Sequence, residues 1–266
     1  MSLRITILGC GSSGGVPRVG NDWGACDPNE PRNRRLRCSV LVERAGGGGT
    51  TRLLVDTSPD LREQLLAARV DDLDAVVFTH DHADHTHGID DLRPLVIRHR
   101  KRIPVYADDA TANTLDMRFG YCFSSPADSI YPPILDLRRF APDKPLSFAG
   151  AGGTIEAVPV PVEHGPMPAL GFRFGTIAYV PDVSDIPPAS ATLLKGLDVL
   201  ILDALRYKRH ISHLNVEQAV EWIARLTPRR AVLTNLHCDI DHATLKAELP
   251  DNIGVAHDML RIEGGA

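Results

Sequence analysis

The chain has 266 residues, 43% hydrophobic and 24% charged, with a formal net charge of -5, which is enough to bury one substantial core and fits a single domain over residues 1–266. No run of about 18 apolar residues occurs, and the amino terminus lacks a basic segment followed by a long apolar stretch, so a cytoplasmic protein without a membrane span or secretion signal is expected. The acidic balance excludes coating of nucleic acid through a large basic face, and five cysteines (Cys10, Cys26, Cys38, Cys122, Cys238), widely spaced and without a CxxC pair, predict reduced thiols.

Leu3–Leu8 reads as a short strand broken by the glycine-rich segment 9–15, with Pro17 close behind. Gly9, Gly11 and Gly14 form a GxGxxG string after that strand. A dinucleotide site needs the third glycine to open a helix, and Gly15, Pro17, Gly20 and Pro28 oppose one. A glycine turn that lets the backbone approach a pocket is expected instead. The arginines 32, 34, 35 and 37 read as a solvated basic loop that could meet phosphate. Residues 39–43 and 51–56 predict a hairpin joined by glycines 46–49, residues 60–68 a helix, and Ala75–Thr79 a strand buried on both faces. A helix over 90–98 and a strand over 104–107 follow, and the proline-rich stretch 121–145 reads as mostly loop.

The second half repeats this grammar, with a strand over 154–162, a hairpin of 170–174 and 176–180 turning at Gly175, and a buried strand over 199–202. Asn215 with Gln218 forms a capping box ahead of the apolar stripe Val216, Ala219, Val220, Ile223 and Leu226, and a strand over 231–234 comes next. Two blocks of strands followed by helices suggest two facing sheets with helices outside, although spacing alone does not separate this from a doubly wound sheet.

Eleven histidines are the compositional signal, since three fall within residues 80–85. The loop Thr79-His80-Asp81-His82-Ala83-Asp84-His85 follows a buried strand and gathers imidazoles and a carboxylate, the donor set that suits divalent zinc, manganese or iron. Four such ligands in six residues exceed the local need of one metal, which points to two. His164, Asp182 and His237 each end a later apolar run and could supply the remaining ligands.

These residues resemble the metallo-β-lactamase superfamily, whose HxHxDH signature is matched by His80, His82, Asp84 and His85 and whose later histidine, aspartate and histidine are matched by His164, Asp182 and His237. The resemblance implies an α/β fold, an αββα sandwich of two facing mixed sheets with helices outside. It also implies two divalent metal ions per chain, zinc or manganese. His80, His82 and His164 would hold one ion, and Asp84, His85 and His237 the other. Asp182 would bridge them beside a water or hydroxide, and Asp56 would orient ligands from behind. A narrower resemblance rests on Gly11 to Pro17, on Asn33-Arg34-Arg35 before Cys38-Ser39, and on His85 to Arg93. It is to the phosphodiesterase branch that includes the phosphoribosyl 1,2-cyclic phosphate phosphodiesterases. That branch places a cysteine cluster near Cys26 around a structural zinc. Here Asn21 and Trp23 stand nearby, and no structural zinc is expected.

His213, just ahead of the capped helix, resembles the branch's histidine near the leaving group and would act with Asp84 and Asp182 in catalysis. His87, His99, His210, His242 and His257 read as structural or solvated. The expected activity is hydrolysis of a small cyclic or nucleotide-like phosphodiester through a metal-bridging hydroxide. The expected partner is that small substrate, with no membrane and no large nucleic acid, and the resemblance admits a homodimer. The rival readings are ribonuclease Z-like RNA processing, a lactone or thioester hydrolase on the same metals, and a non-catalytic nucleotide-binding module.

Overall fold

Most strands carry apolar side chains on both faces, which only a sheet covered on both sides can bury. The computed structural model describes residues 2–126 and 129–265. Its first six strands are β1 (Ser2–Gly9), β2 (Ser39–Gly46), β3 (Gly49–Val55), β4 (Ala75–Val77), β5 (Ile103–Ala107) and β6 (Leu135–Arg139). The next seven are β7 (Leu146–Phe148), β8 (Ile155–His164), β9 (Met167–Phe174), β10 (Ile177–Val180), β11 (Val199–Asp203), β12 (Arg230–Thr234) and β13 (Ile253–Val255), and β14 (Leu260–Gly265) ends the series. One sheet has the order β14-β1-β2-β3-β4-β5-β6 and the other β13-β12-β11-β10-β9-β8-β7. Both are mixed. The pairs β14–β1, β1–β2 and β2–β3 are antiparallel and those from β3 to β6 parallel. In the second sheet β7 to β10 pair antiparallel and β10 to β13 parallel.

The period-2 alternation of the strands sorts their side chains into three apolar layers. Between the sheets, Ile5, Ile7, Val42 and Val55 pack with Phe172, Phe174, Ile177, Tyr179 and Ile201. Leu8, Leu54, Val76 and Phe78 point outward from the first sheet to three helices, α1 (Leu61–Ala68), α3 (Arg93–His99) and α4 (Asp109–Phe123); the short α2 (Ala83–Thr86) lies in the loop after β4. Ala178, Val180, Leu200 and Leu202 point outward from the second sheet to α5 (Pro188–Leu193), α6 (Val216–Leu226) and α7 (His242–Glu248). The architecture is therefore an αββα sandwich, and the doubly wound alternative falls away.

The 11-residue α6 is too short to persist alone in water. Its Asn215–Gln218 capping box forms as expected, and burial of Ala219, Trp222, Ile223 and Leu226 holds it, at roughly 1.5–3 kcal/mol for each large side chain. Trp222 takes the buried position and Val220 is only partly covered. The expected helix over 90–98 begins as a 3-10 turn at Ile89–Leu92 and continues as α3, where Pro94 sits in the first turn and needs no backbone donor.

The stretch 121–145 is mostly loop among the described residues, as expected, but α4 runs on to Phe123 and β6 occupies Leu135–Arg139; Ala127 and Asp128 lie outside the described residues. Asp108 caps α4 by accepting from the Thr111 N–H, and β6 gains its order from parallel pairing with β5. No helix among the described residues is long and apolar enough to cross a membrane.

Candidate metal centre

The polar residues cluster where strands of both sheets end, the position at which open α/β sheets place their ligands. Asp56 follows β3, His80 to His85 follow β4, His164 closes β8, Asp182 follows β10, Asp203 closes β11, and Asn235 and His237 follow β12. Asp56 and Asn235 both adopt left-handed backbone, with φ of 64° and 60°, a conformation that Asp and Asn tolerate better than most side chains. The backbone turns sharply at both strand ends, and both side chains enter the site. His80 and His82 precede α2, while Asp84 and His85 ride on it; Thr86 Oγ1 donates to the His82 carbonyl at 2.9 Å and ties the two halves of the loop.

Ring centroids of His80 lie 4.6 Å from His82, 4.3 Å from His85 and 5.2 Å from His164. His80, His82 and His164 bring one ring nitrogen each within 4.8 Å of one another, and so do the donor atoms of His80, His85 and Asp182. Asp84 Oδ2 stands 3.4 Å from His85 Nε2. His237 lines the same pocket, about 300 Å³ in volume, with His82, Asp84, His164, Asp182 and His213. Its ring, however, stands in a group with Cys238 and Asp239, with Nδ1 3.3 Å from Asp239 Oδ2 and Nε2 3.4 Å from Arg18 Nη1. Six of the seven expected ligands are thus drawn together, and the seventh sits in the pocket wall.

The tautomers follow from the hydrogen bonds. Buried Asp56 accepts from the Thr79 N–H and the Thr79 hydroxyl, each at 2.8 Å, and from His85 Nδ1 at 2.8 Å. The Thr79 hydroxyl has spent its only hydrogen on Asp56, so it accepts from His80 Nδ1 at 2.9 Å. His164 Nδ1 likewise donates to the Ser212 carbonyl at 2.6 Å. In each ring Nε2 is the nitrogen left for a metal ion or an added proton. His80 Nε2, His85 Nε2 and Asp182 Oδ2 are buried without a hydrogen bond. The last two lie only 3.1 Å apart. A lone pair facing a carboxylate oxygen at that distance, out of water, needs a cation between or beside them. The donor set of imidazoles and carboxylates fits a divalent transition metal.

Charge balance in the protein alone agrees. Burial opposes charge on His85, but Asp182, Asp84 and Asp56 hold it well above the ordinary histidine range. Burial, with His85 close by, pushes His80 well below that range. One proton on His85 therefore does part of what a metal ion would do.

Because Asp56 sets two tautomers, Asp56→Asn, which suits the same left-handed backbone, is expected to weaken metal uptake by roughly 10–100-fold, the usual cost of losing a partner behind the ligands. Titration against chelator-buffered zinc or manganese checks this, and unchanged affinity would mean that the relay does not govern the ligands.

His213 is held by a residue that sequence reasoning missed. Its Nδ1 stands 2.9 Å from Oδ2 of the fully buried Asp203 and 3.7 Å from Asp182 Oδ1. Burial opposes charge on His213, but Asp203 wins and raises it to about 9. Asn235 Nδ2 donates to Asp182 Oδ1 at 3.3 Å and to Asp203 Oδ1 at 3.2 Å, spacing the two carboxylates. Asp203 ends an apolar run as Asp182 nearly does, which was the available signal. His210, expected to be structural or solvated, lines the pocket with its ring 5.2 Å from that of His213.

Arg32 and Arg34 are exposed, as the reading of a solvated basic loop expects, but Arg35 departs from it. It is 1% exposed, and its Nη1 donates to the Ile240 carbonyl at 2.8 Å and the His237 carbonyl at 3.3 Å, clamping the turn that carries His237. No helix follows the glycine string, as expected; a Cβ on Gly9 would stand 2.1 Å from the Arg37 carbonyl oxygen, so the glycine permits close crossing of this segment.

Residues 51–235, more than half of the chain, match the model of the β-lactamase superfamily domain. The chain belongs to that superfamily and has the metallo-β-lactamase fold. Within it the chain is similar to the PhnP branch: the crystal structure of a diphosphatase of the PhnP family matches with a TM-score of 0.89 and 37% identity over 99% of this chain and 98% of that one. Among curated proteins, an octanoyltransferase of Porphyromonas gingivalis W83 is 37% identical over 265 residues, 97% of this chain and 51% of the relative. The chain thus spans about half the length of that relative. Coenzyme PQQ synthesis protein B of Methylobacterium sp. 4-46 is 29% identical over 234 residues, 77% of this chain and 74% of that protein.

Proposed function

We propose that the protein is a binuclear phosphodiesterase acting on a small cyclic or nucleotide-like phosphodiester. His80, His82 and His164 would hold one divalent ion and Asp84, His85 and His237 the other, with Asp182 between them and zinc or manganese as the metal. Such a pair supplies Lewis acidity, charge neutralisation and an acidified water at neutral pH. The chain's own residues do the rest. Asp203 accepts from His213 Nδ1 and fixes the ring, so Nε2 is the atom that carries a proton to the departing alkoxide. Asn235 keeps the Asp203 and Asp182 carboxylates at fixed separation while binding both.

The observation that carries this reading is the pair of buried Asp203 and partly exposed His213 at the edge of the ligand cluster, an arrangement suited to protonating a poor leaving group. Likeness to a PhnP-family diphosphatase supports chemistry at phosphorus, and a pocket of about 300 Å³ supports a small substrate. The name of the Porphyromonas relative denotes acyl transfer, in a protein about twice as long, so an acyl thioester belongs among the controls.

The test is a turnover panel under matched manganese or zinc loading. Bis(p-nitrophenyl) phosphate and a 2′,3′-cyclic nucleotide are expected to turn over faster than p-nitrophenyl phosphate, a lactone, an octanoyl thioester or a tRNA precursor. A lactone or thioester in first place would retain the fold and overturn the function.

A further inference from the structure

Residues 93–102 read Arg-Pro-Leu-Val-Ile-Arg-His-Arg-Lys-Arg, five permanent cations without one carboxylate in a chain whose net charge is -5. The first seven form α3, and Arg100 ends it in left-handed backbone with φ of 52°. Val96 anchors the helix to the apolar layer outside the first sheet, whereas its neighbour Ile97 is 68% exposed. Both line an open groove of about 690 Å³, together with Tyr131 and Ile134. Tyr131 is 71% exposed, so neither it nor Ile97 is spent on the core.

The groove is built before any ligand arrives. Tyr131 and Ile134 flank Pro132 and Pro133, whose rings fix the backbone of that segment. The Ile134 N–H donates to the Cys122 carbonyl at 2.9 Å, and the Ile134 carbonyl accepts from the Ile103 N–H at 3.2 Å. Arg102 ties the end of the basic run to the same segment, donating from Nε to the Leu135 carbonyl at 2.9 Å and from Nη2 to the Phe123 carbonyl at 3.0 Å. Arg93, Arg100, Lys101 and Arg102 line the groove and no carboxylate does. Asp90 pairs with Arg93, but among the described residues no carboxylate pairs with the other three.

An apolar recess beside unneutralised cations suits a ligand that is apolar and anionic at once. Shape decides among such ligands. A lipid bilayer presents a flat surface and does not reach the buried side chains of Val96 and Ile134. A nucleobase stacks on planar rings, and here Tyr131 is the one ring in a lining otherwise made of aliphatic side chains, prolines and cations. A bulky side chain of a peptide fills the recess, and carboxylates on either side of it meet Arg100 and Lys101. A second hollow of about 410 Å³ shares Arg93, Tyr131 and Pro132 with the first, so an extended segment passes from one to the other.

We propose that this groove is a docking site for an acidic peptide segment of a partner protein, held by one apolar anchor between Ile97 and Tyr131 and by carboxylates on Arg100 and Lys101. It shares no lining residue with the metal pocket, so a docked segment leaves the metal ligands untouched.

The test pans random dodecapeptides displayed on phage against the full chain and measures the selected sequences by fluorescence anisotropy. They are expected to carry a bulky apolar residue flanked by Asp or Glu and to bind more weakly as salt rises. Ile97→Ser should weaken them by about tenfold or more, the range for one large aliphatic side chain left in water. Arg100→Asn with Lys101→Glu should do the same through charge, and asparagine suits the left-handed backbone at position 100. All three positions are exposed, so the variants should fold, keep their metal and turn over bis(p-nitrophenyl) phosphate as the wild type does. Selection of no peptide, selected peptides without the acidic and apolar pattern, or full affinity in both variants overturns the proposal. Phosphatidylserine vesicles, poly(uridylic acid) and self-association in sedimentation velocity are run in parallel. If the same substitutions abolish binding of one of these while no peptide binds, the groove belongs to that occupant and the proposal falls.

Discussion

Asp182→Ala is expected to come through metal loading and gel filtration with fewer than the two ions per chain proposed for the intact protein, and to lose activity by more than the roughly 10–100-fold that a partner behind the ligands costs. Asp182 is 3% exposed, and its two oxygens face different neighbours. Oδ2 stands 3.1 Å from His85 Nε2, whereas Oδ1 stands 3.7 Å from His213 Nδ1 and accepts from Asn235 Nδ2 at 3.3 Å. Among the described residues the donor atoms of Asp182 belong to two of the histidine clusters, one with His80 and His85 and one with His164 and His213. Removing it takes a ligand from both sides at once and leaves His85 with less to offset its buried proton. Asp182→Asn preserves volume and separates loss of charge from loss of packing. Elemental analysis is the measurement, with a thermal melt to confirm folding. Full metal content in both variants would end the bridging role, and no metal uptake by the intact protein would end the ligand assignment of the 80–85 loop.

His213→Ala is expected to retain its metal and to lose turnover by about a hundredfold or more on a substrate with an alkoxide leaving group, the range for a missing general acid. With a nitrophenolate, which departs almost without protonation, the loss should be much smaller. Asp203→Asn should reproduce part of this pattern, because it leaves the ring in place while removing the charge that favours imidazolium. The outcome also decides a question of geometry, since His164, Asp182 and His213 bring donor atoms within 4.8 Å of one another and could themselves hold an ion. Metal loss in His213→Ala would make it a ligand. Equal losses on both leaving groups would make it a binder of the phosphate.

The loop 80–85 is legible in the sequence because imidazoles and a carboxylate crowded into one short segment repel or compete with one another unless a cation binds them together. His164, Asp182 and His237 are legible only as ends of apolar runs, and the family pattern is what unites them. Asp203 ends such a run too, yet a lone aspartate after a strand reads equally well as a helix cap or a solvated turn. Its partner His213 is ten positions on, and only the fold brings them together. Arg35 misleads for a related reason: arginine belongs in water unless carbonyls surround it, and the carbonyls that do so come from residues 237 and 240. The helix α4 escapes the periodicity argument because only Thr111, Ala112, Leu115 and Cys122 of its 15 residues are buried. Its apolar stripe is too thin to register against threonine, asparagine and a glycine near its end. The facing sheets are clearer, since Ile5 and Ile7, Val199 and Ile201, and Leu200 and Leu202 alternate as two buried faces demand.

The pairing of the first and last strands has a consequence for attachment. Ser2 lies opposite Gly265 in the antiparallel β1–β14 ladder. Since β1 is antiparallel to β2 and β2 to β3, β1 points the same way as β3, whose far end leads into Asp56. The beginning of β1 and the finish of β14 therefore share one corner of the sandwich, about a strand length from the pocket, roughly 25 Å for the eight residues of β1. Anything tethered there, whether an affinity handle or a whole neighbouring enzyme, leaves by the same door on either side of the chain and hangs away from the mouth where substrate enters.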